Sequence, residues 1–206
     1  MAKQSNSDLH GNAPDASPTA LLIIDAINDL EFPGGKGMLA RAKRMARSIA
    51  KLKERAEKAR VPAVYVNDNF GRWRSDFRRL VNHCLEDDVL GRPVVEQLLP
   101  DENDYFVLKP KHSGFYNTTL DLLLEYLGAK TLVITGMATD VCVLFTAADA
   151  YMRDFRVIVP SDCVTALTPA VHRAALAQMR KTIKAEIVDS RRIDFGKLAK
   201  LRNRGR

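Results

Sequence analysis

Ala20-Leu21-Leu22-Ile23-Ile24-Asp25-Ala26-Ile27 is an apolar run interrupted by a single acid. A strand with one wet face alternates apolar and polar residues. A run that is apolar at almost every position reads instead as a strand covered on both faces, as in a parallel sheet. Five similar short runs follow, at Ala63 to Val66, Tyr105 to Leu108, Thr131 to Thr135, Arg156 to Val159 and Ala185 to Val188. The segments between them carry a helical period. Examples are Met38, Ala42, Met45, Ile49, Leu52 and Ala56; Leu120, Leu123, Leu124 and Leu127; and Val141, Leu144, Phe145, Ala148 and Met152. Thr168-Pro169 reads as an N-cap followed by proline at the first helical position, ahead of Val171, Ala175, Met179 and Ile183. Strands alternating with helices predict an α/β fold: a three-layer α/β/α sandwich around a six-stranded, mainly parallel, Rossmann-like sheet with right-handed crossovers.

One domain over residues 18–190 accommodates this pattern. A polar N-terminal arm, residues 1–17, precedes it, and a basic tail, residues 191–206, follows and is expected to fray. The stretch from Asn69 to Asn103 breaks the alternation and holds the only tryptophan, Trp73. Long insertions at strand ends tend to shape sites.

The chain has 206 residues, 46% hydrophobic and 28% charged, as expected of an ordinary globular protein. Its apolar runs are far shorter than the roughly 20 residues a bilayer helix needs, so no membrane span is expected. The N-terminus lacks the apolar stretch of a secretory signal, and three cysteines cannot form a disulfide framework; both point to a cytoplasmic protein. The net charge of +7 is concentrated in the tail, where seven Lys or Arg face Asp194 alone. The rest of the chain is nearly balanced, with 25 basic and 24 acidic side chains, so a nucleic-acid partner is not expected. No G-x-G-x-x-G follows the first strand, and Gly34-Gly35-Lys36-Gly37 lacks the Ser or Thr and the spacing of a phosphate loop; it reads as a turn.

Ligands of open α/β sheets bind beyond the carboxyl ends of the strands. Three reactive side chains fall there. Asp25 ends the first run, Lys109 ends Tyr105-Phe-Val-Leu108, and Cys142 lies in the first turn of the helix after Thr131-Leu-Val-Ile-Thr-Gly136. Taken singly, each has a structural explanation: a turn cap, a solvated strand end, a small buried hydrophobe. Together they form a coherent set. The helix N-terminus and the lysine are expected to lower the thiol pKa. The thiolate would attack a carbonyl, Asp25 would carry the proton, and backbone amides at Ala138 and Cys142 would receive the oxyanion. Asp140, in the same helical turn, reads as a response to the helix dipole.

The strings Leu21-Leu-Ile-Ile-Asp25-Ala-Ile-Asn28-Asp29, Val107-Leu-Lys109-Pro-Lys-His-Ser113-Gly-Phe115 and Gly136-Met-Ala138-Thr139-Asp140-Val-Cys142-Val143, followed by Thr146-Ala-Ala-Asp149, resemble the isochorismatase-like cysteine hydrolases from about residue 19 to residue 190. The resemblance implies a catalytic triad of Asp25, Lys109 and Cys142 and a cis peptide just before Ala138 that aims its amide at the oxyanion. It also implies the strand order 3-2-1-4-5-6 and a homo-oligomer, dimer or tetramer. That order sets the lysine and aspartate strands two positions apart, about 9.6 Å at ~4.8 Å per strand, a gap for the lysine stem to close.

The chain departs from the family pattern in two places. Ile27 stands where Gln is common. Nicotinamidase-type members carry an Asp-x-His pair and a further His for a metal, whereas this chain reads Asn67-Asp68-Asn69-Phe70-Gly71-Arg72-Trp73. No metal or other cofactor is therefore expected, and nicotinamide is discounted as substrate. Asn69, Trp73 and Phe115 are candidate pocket residues, and Arg72 and Arg74 would suit a substrate carboxylate. The function expected is thioester-forming hydrolysis of a small amide, ureido or carbamoyl compound. Two alternatives are vinyl-ether hydrolysis with Asp25 as acid, which needs no thiol, and a non-catalytic binding protein whose basic tail meets an acidic partner.

Overall fold

The computed structural model describes residues 15–68 and 76–200. The elements in chain order are β1 (Thr19–Ile24), α1 (Gly35–Lys58), β2 (Ala63–Asp68), α2 (Phe77–Glu86), α3 (Arg92–Val95), β3 (Tyr105–Lys109), α4 (Leu120–Leu127), β4 (Thr131–Met137), α5 (Leu144–Met152), β5 (Arg156–Pro160), β6 (Val164–Thr165), α6 (Pro169–Thr182), β7 (Glu186–Val188) and α7 (Phe195–Leu198). The sheet runs β3-β2-β1-β4-β5-β7, and each of these pairings is parallel. This is the expected order once a two-residue strand, β6, is set aside. β5 pairs with β4 only as far as Val133, and β6 takes its place beside Gly136 and Met137.

Both faces of the sheet are covered, which is why its strands do not alternate. Leu21 and Ile23 of β1 join Tyr65 and Val133 in one apolar cluster with α1, α2, α3 and α7. Ala20, Leu22 and Ile24 join Val64, Val66, Leu132 and Ile134 in a second cluster with α4, α5 and α6.

The structure corrects the expected elements in four places. β1 stops at Ile24 rather than Ile27, because Asp25 takes a left-handed conformation, φ 46°, that ends the strand and that Asp tolerates better than a branched residue. The long insertion contains two helices. Asp76 caps α2 by accepting from the Arg79 amide at 2.7 Å, and Phe77, Leu80 and Cys84 bury one face of it. Cys142 occupies a π-helical turn, Thr139–Val143, rather than the first turn of an α-helix. The first part of the basic tail does not fray: Ile193, Phe195 and Leu198 are buried against the α1 face, and Arg55 donates to the carbonyls of Ser190 and Ile193. Hydrophobic spacing there outweighs the charge. No helix among the described residues is long and apolar enough to cross a membrane.

Candidate active site

Parallel register sets the site. Ile24 stands opposite Val66 on one side and Gly136 on the other, and Val66 stands opposite Val107, so the ends of β1, β2, β3 and β4 lie on one rim. Asp25 is the residue after the end of β1, Lys109 is the last of β3, and Cys142 follows β4 by five positions. The close approach of β1 and β4 requires a glycine at 136: φ is 104°, and a β-carbon there would lie 1.9 Å from the Ile24 carbonyl oxygen. The next peptide, Met137–Ala138, is cis, as the family resemblance implied.

Lys109 closes the two-strand gap. Its side chain is fully buried, and Nζ lies 2.8 Å from Asp25 Oδ2, 3.7 Å from Asp68 Oδ2 and 3.4 Å from Cys142 Sγ. It also donates to the Lys111 carbonyl at 3.2 Å. Asp25 Oδ1 accepts from the Asp68 amide at 2.7 Å. The three side chains expected to act together therefore meet, and the ammonium touches both the carboxylate and the thiol.

The electrostatics differ from expectation at the sulfur. Burial pushes the Cys142 thiol up to about 12, and the Asp25 carboxylate adds to the rise; Lys109 opposes both and loses. The balance favours the protonated thiol. Burial likewise raises the Asp25 carboxyl against the pull of Lys109, so its carboxylate is a readier proton acceptor than an exposed one. The Lys109 ammonium is held above its ordinary value: burial works against the charge, and Asp25 and Cys142 outweigh it.

Neighbouring residues brace the nucleophile turn. The Ala138 carbonyl accepts from the amides of Val141 and Val143, at 3.1 and 3.2 Å. Thr139 is buried, and its Oγ1 lies 3.0 Å from His172 Nδ1 on α6, an imidazole whose pKa is lowered by burial and by Arg173. Asp140 Oδ1 is buried without a hydrogen-bond partner among the described residues. The Ser113-Gly-Phe115 segment is fastened to α5: Ser113 Oγ donates to Asp149, and the Gly114 amide donates to Thr146 Oγ1 at 2.9 Å. Two of the sequence strings thus form one physical unit.

Of the pocket candidates, Asn69 and Trp73, with Arg72 and Arg74, lie outside the described residues. Phe115 is buried in the same apolar cluster as Cys142, tilted against Phe155 at 6.0 Å, with the Arg153 guanidinium 4.7 Å over its ring. His112 is a further neighbour of the sulfur that no expectation from the sequence included. His112 Nδ1 lies 3.9 Å from Cys142 Sγ on an exposed residue. Its place two residues before Gly114 in the lysine motif was the available signal.

The isochorismatase domain model matches residues 19–191. The chain belongs to the isochorismatase family. The family member YaaI of Bacillus subtilis is 37% identical over 174 residues, 84% of this chain and 95% of that one. The crystal structure of N-carbamoylsarcosine amidase from Thermoplasma acidophilum has a TM-score of 0.66 at 30% identity, covering 85% of this chain and 98% of that one. Ureidoacrylate amidohydrolase RutB of Methylobacterium radiotolerans is 45% identical over 87 residues, 42% of this chain and 34% of that one. As a member of the isochorismatase family, this chain is a hydrolase.

Proposed function

We propose that this hydrolase cleaves a small amide, ureido or carbamoyl compound through a thioester on Cys142. The observation that carries the reading is the contact of one buried ammonium with both the thiol and the carboxylate. The carbonyl carbon approaches Sγ, and the thiol proton passes to Asp25 as the S–C bond forms. Lys109 holds the two groups together and its charge stabilises the sulfur as it loses that proton. The oxyanion is received by the amides of Ala138 and Cys142. Asp25 then delivers its proton to the departing nitrogen, ammonia or an amine leaves, and water cleaves the thioester.

The similarity to a carbamoylsarcosine amidase and to a ureidoacrylate amidohydrolase supports the substrate class. The cysteine favours this reading over vinyl-ether hydrolysis, which requires none. The test is ammonia release from a panel of amides and ureido acids, with Cys142→Ala as control. Turnover is expected to vanish in the variant while its circular dichroism stays that of the native fold; retained turnover overturns the proposal.

A further inference from the structure

Three arginines gather on the rim beyond β5 and β7, apart from the chemistry above. Pro160 and Val188 end these two parallel strands in register. Ser161 and Asp189, the residues that follow them, border a cavity of about 390 Å³, and α6 supplies another wall. The cavity therefore lies beyond the carboxyl ends of neighbouring strands, where open α/β sheets take ligands. Asp25, Lys109 and Cys142 do not line it. Arg173 and Arg180 of α6 and Arg192 from the segment after β7 do. Neither Arg173 nor Arg192 forms an ion pair or a side-chain hydrogen bond among the described residues. Arg180 gives one N–H to the Ile187 carbonyl at 3.3 Å and keeps the rest of its fork. The one acid in the lining, Asp189, is already matched: Arg191 holds its Oδ1 at 2.8 Å and its Oδ2 at 2.9 Å, although the charge of Arg192 also reaches it. Three positive charges are left facing one space, and an anion relieves their repulsion.

We propose that this cavity binds a diphosphate group, as the inorganic ion or as part of a small ester. Guanidinium forks match phosphate oxygens two at a time, which an ammonium does not. Arg173 and Arg180 are seven residues apart on α6, about 10.5 Å along the helix axis, a span that two linked phosphates bridge better than one. Leu176, Ala177 and Ile187 form an apolar part of the lining, which an ester would cover with its organic body. The site is independent of the thioester reading, since it shares no residue with the triad. It also gives part of the positive charge near the chain end a place in the fold, because Arg192 sits between the buried Ser190 and Ile193.

The test is calorimetric titration of the full chain, free of divalent metal, with inorganic pyrophosphate, orthophosphate, ADP and citrate. Pyrophosphate should bind once per chain and about tenfold more tightly than orthophosphate. Arg173→Gln and Arg192→Gln replace exposed side chains and should each weaken pyrophosphate about tenfold while leaving the circular dichroism unchanged. Arg47→Gln, on the exposed face of α1 and outside the cavity, should stay within about twofold of wild type. ADP binding more tightly than pyrophosphate identifies an ester as the ligand; equal or weaker binding identifies the inorganic ion. No measurable pyrophosphate binding at about 1 mM overturns the site. Equal weakening by Arg47→Gln overturns it too, because the attraction is then diffuse, as does binding that neither cavity variant changes. Citrate bound as tightly as pyrophosphate overturns the diphosphate assignment.

Discussion

At the residue scale, the state of the thiol follows from three neighbours. Burial and a carboxylate favour the neutral form, and one ammonium opposes them. Asp25→Asn removes the carboxylate but leaves Lys109 beside the sulfur, so the variant should form a thiolate–ammonium pair more readily than wild type. Turnover should drop at least about 100-fold for want of a proton carrier, yet iodoacetamide should label Cys142 faster at mildly alkaline pH. Cys84 and Cys163 are completely buried and should not interfere. Slower labelling in the variant would show that the carboxylate does not raise the thiol. This balance is invisible in sequence. The strings placed Asp25, Lys109 and Cys142 at strand ends, and the expected depression of the thiol pKa came from the helix terminus and the lysine. The cost of desolvation appears only once the surrounding atoms are known.

At the element scale, two contacts set the shape of the rim. Gly136 lets β4 run against β1, and no side chain fits between its Cα and the Ile24 carbonyl. Gly136→Ala should therefore lower the melting temperature and abolish activity together, since the turn bearing Cys142 grows from this strand. A second contact clasps α2 to the loop after β1. His83 Nδ1 lies 2.6 Å from Asp87 Oδ2, and Nε2 lies 3.4 Å from Asp29 Oδ2. The Asp87 contact raises the His83 pKa most, with Asp29 adding to it. A histidine whose folded pKa is raised contributes stability that is complete below the unfolded value, ~6.5, and lost as pH rises through the folded value. His83→Ala should thus be less stable than wild type in acid and nearly equal to it in alkali. The ring is 43% exposed, so solvent screening keeps the difference under about 1 kcal/mol. Denaturant melts at two pH values decide it, and an equal loss at both overturns the clasp.

At the scale of the whole molecule, the sandwich was legible because doubly covered strands leave near-continuous apolar runs, and Leu21 to Ile24 is one. β6 was not, because two residues carry no period. α2 was not, because its stripe of Phe77, Leu80 and Cys84 is short and sits among arginines. The tail misled for the opposite reason: net charge described its solvated face, while Ile193, Phe195 and Leu198 supplied a buried one. That reversal has a measurable consequence. Phe195 is 3% exposed and packs with the α1 layer, and the Leu198 carbonyl accepts from Thr19 Oγ1 at the start of β1, the end of the sheet opposite Asp25, Lys109 and Cys142. Phe195→Ala leaves a ring-sized cavity and should cost about 3 kcal/mol. Because the damage lies at the far end of the sheet, kcat and KM per folded molecule should stay at wild-type values below the lowered melting transition. A frayed tail would make the substitution silent; loss of activity without loss of stability would mean that α7 acts on the site rather than on the core.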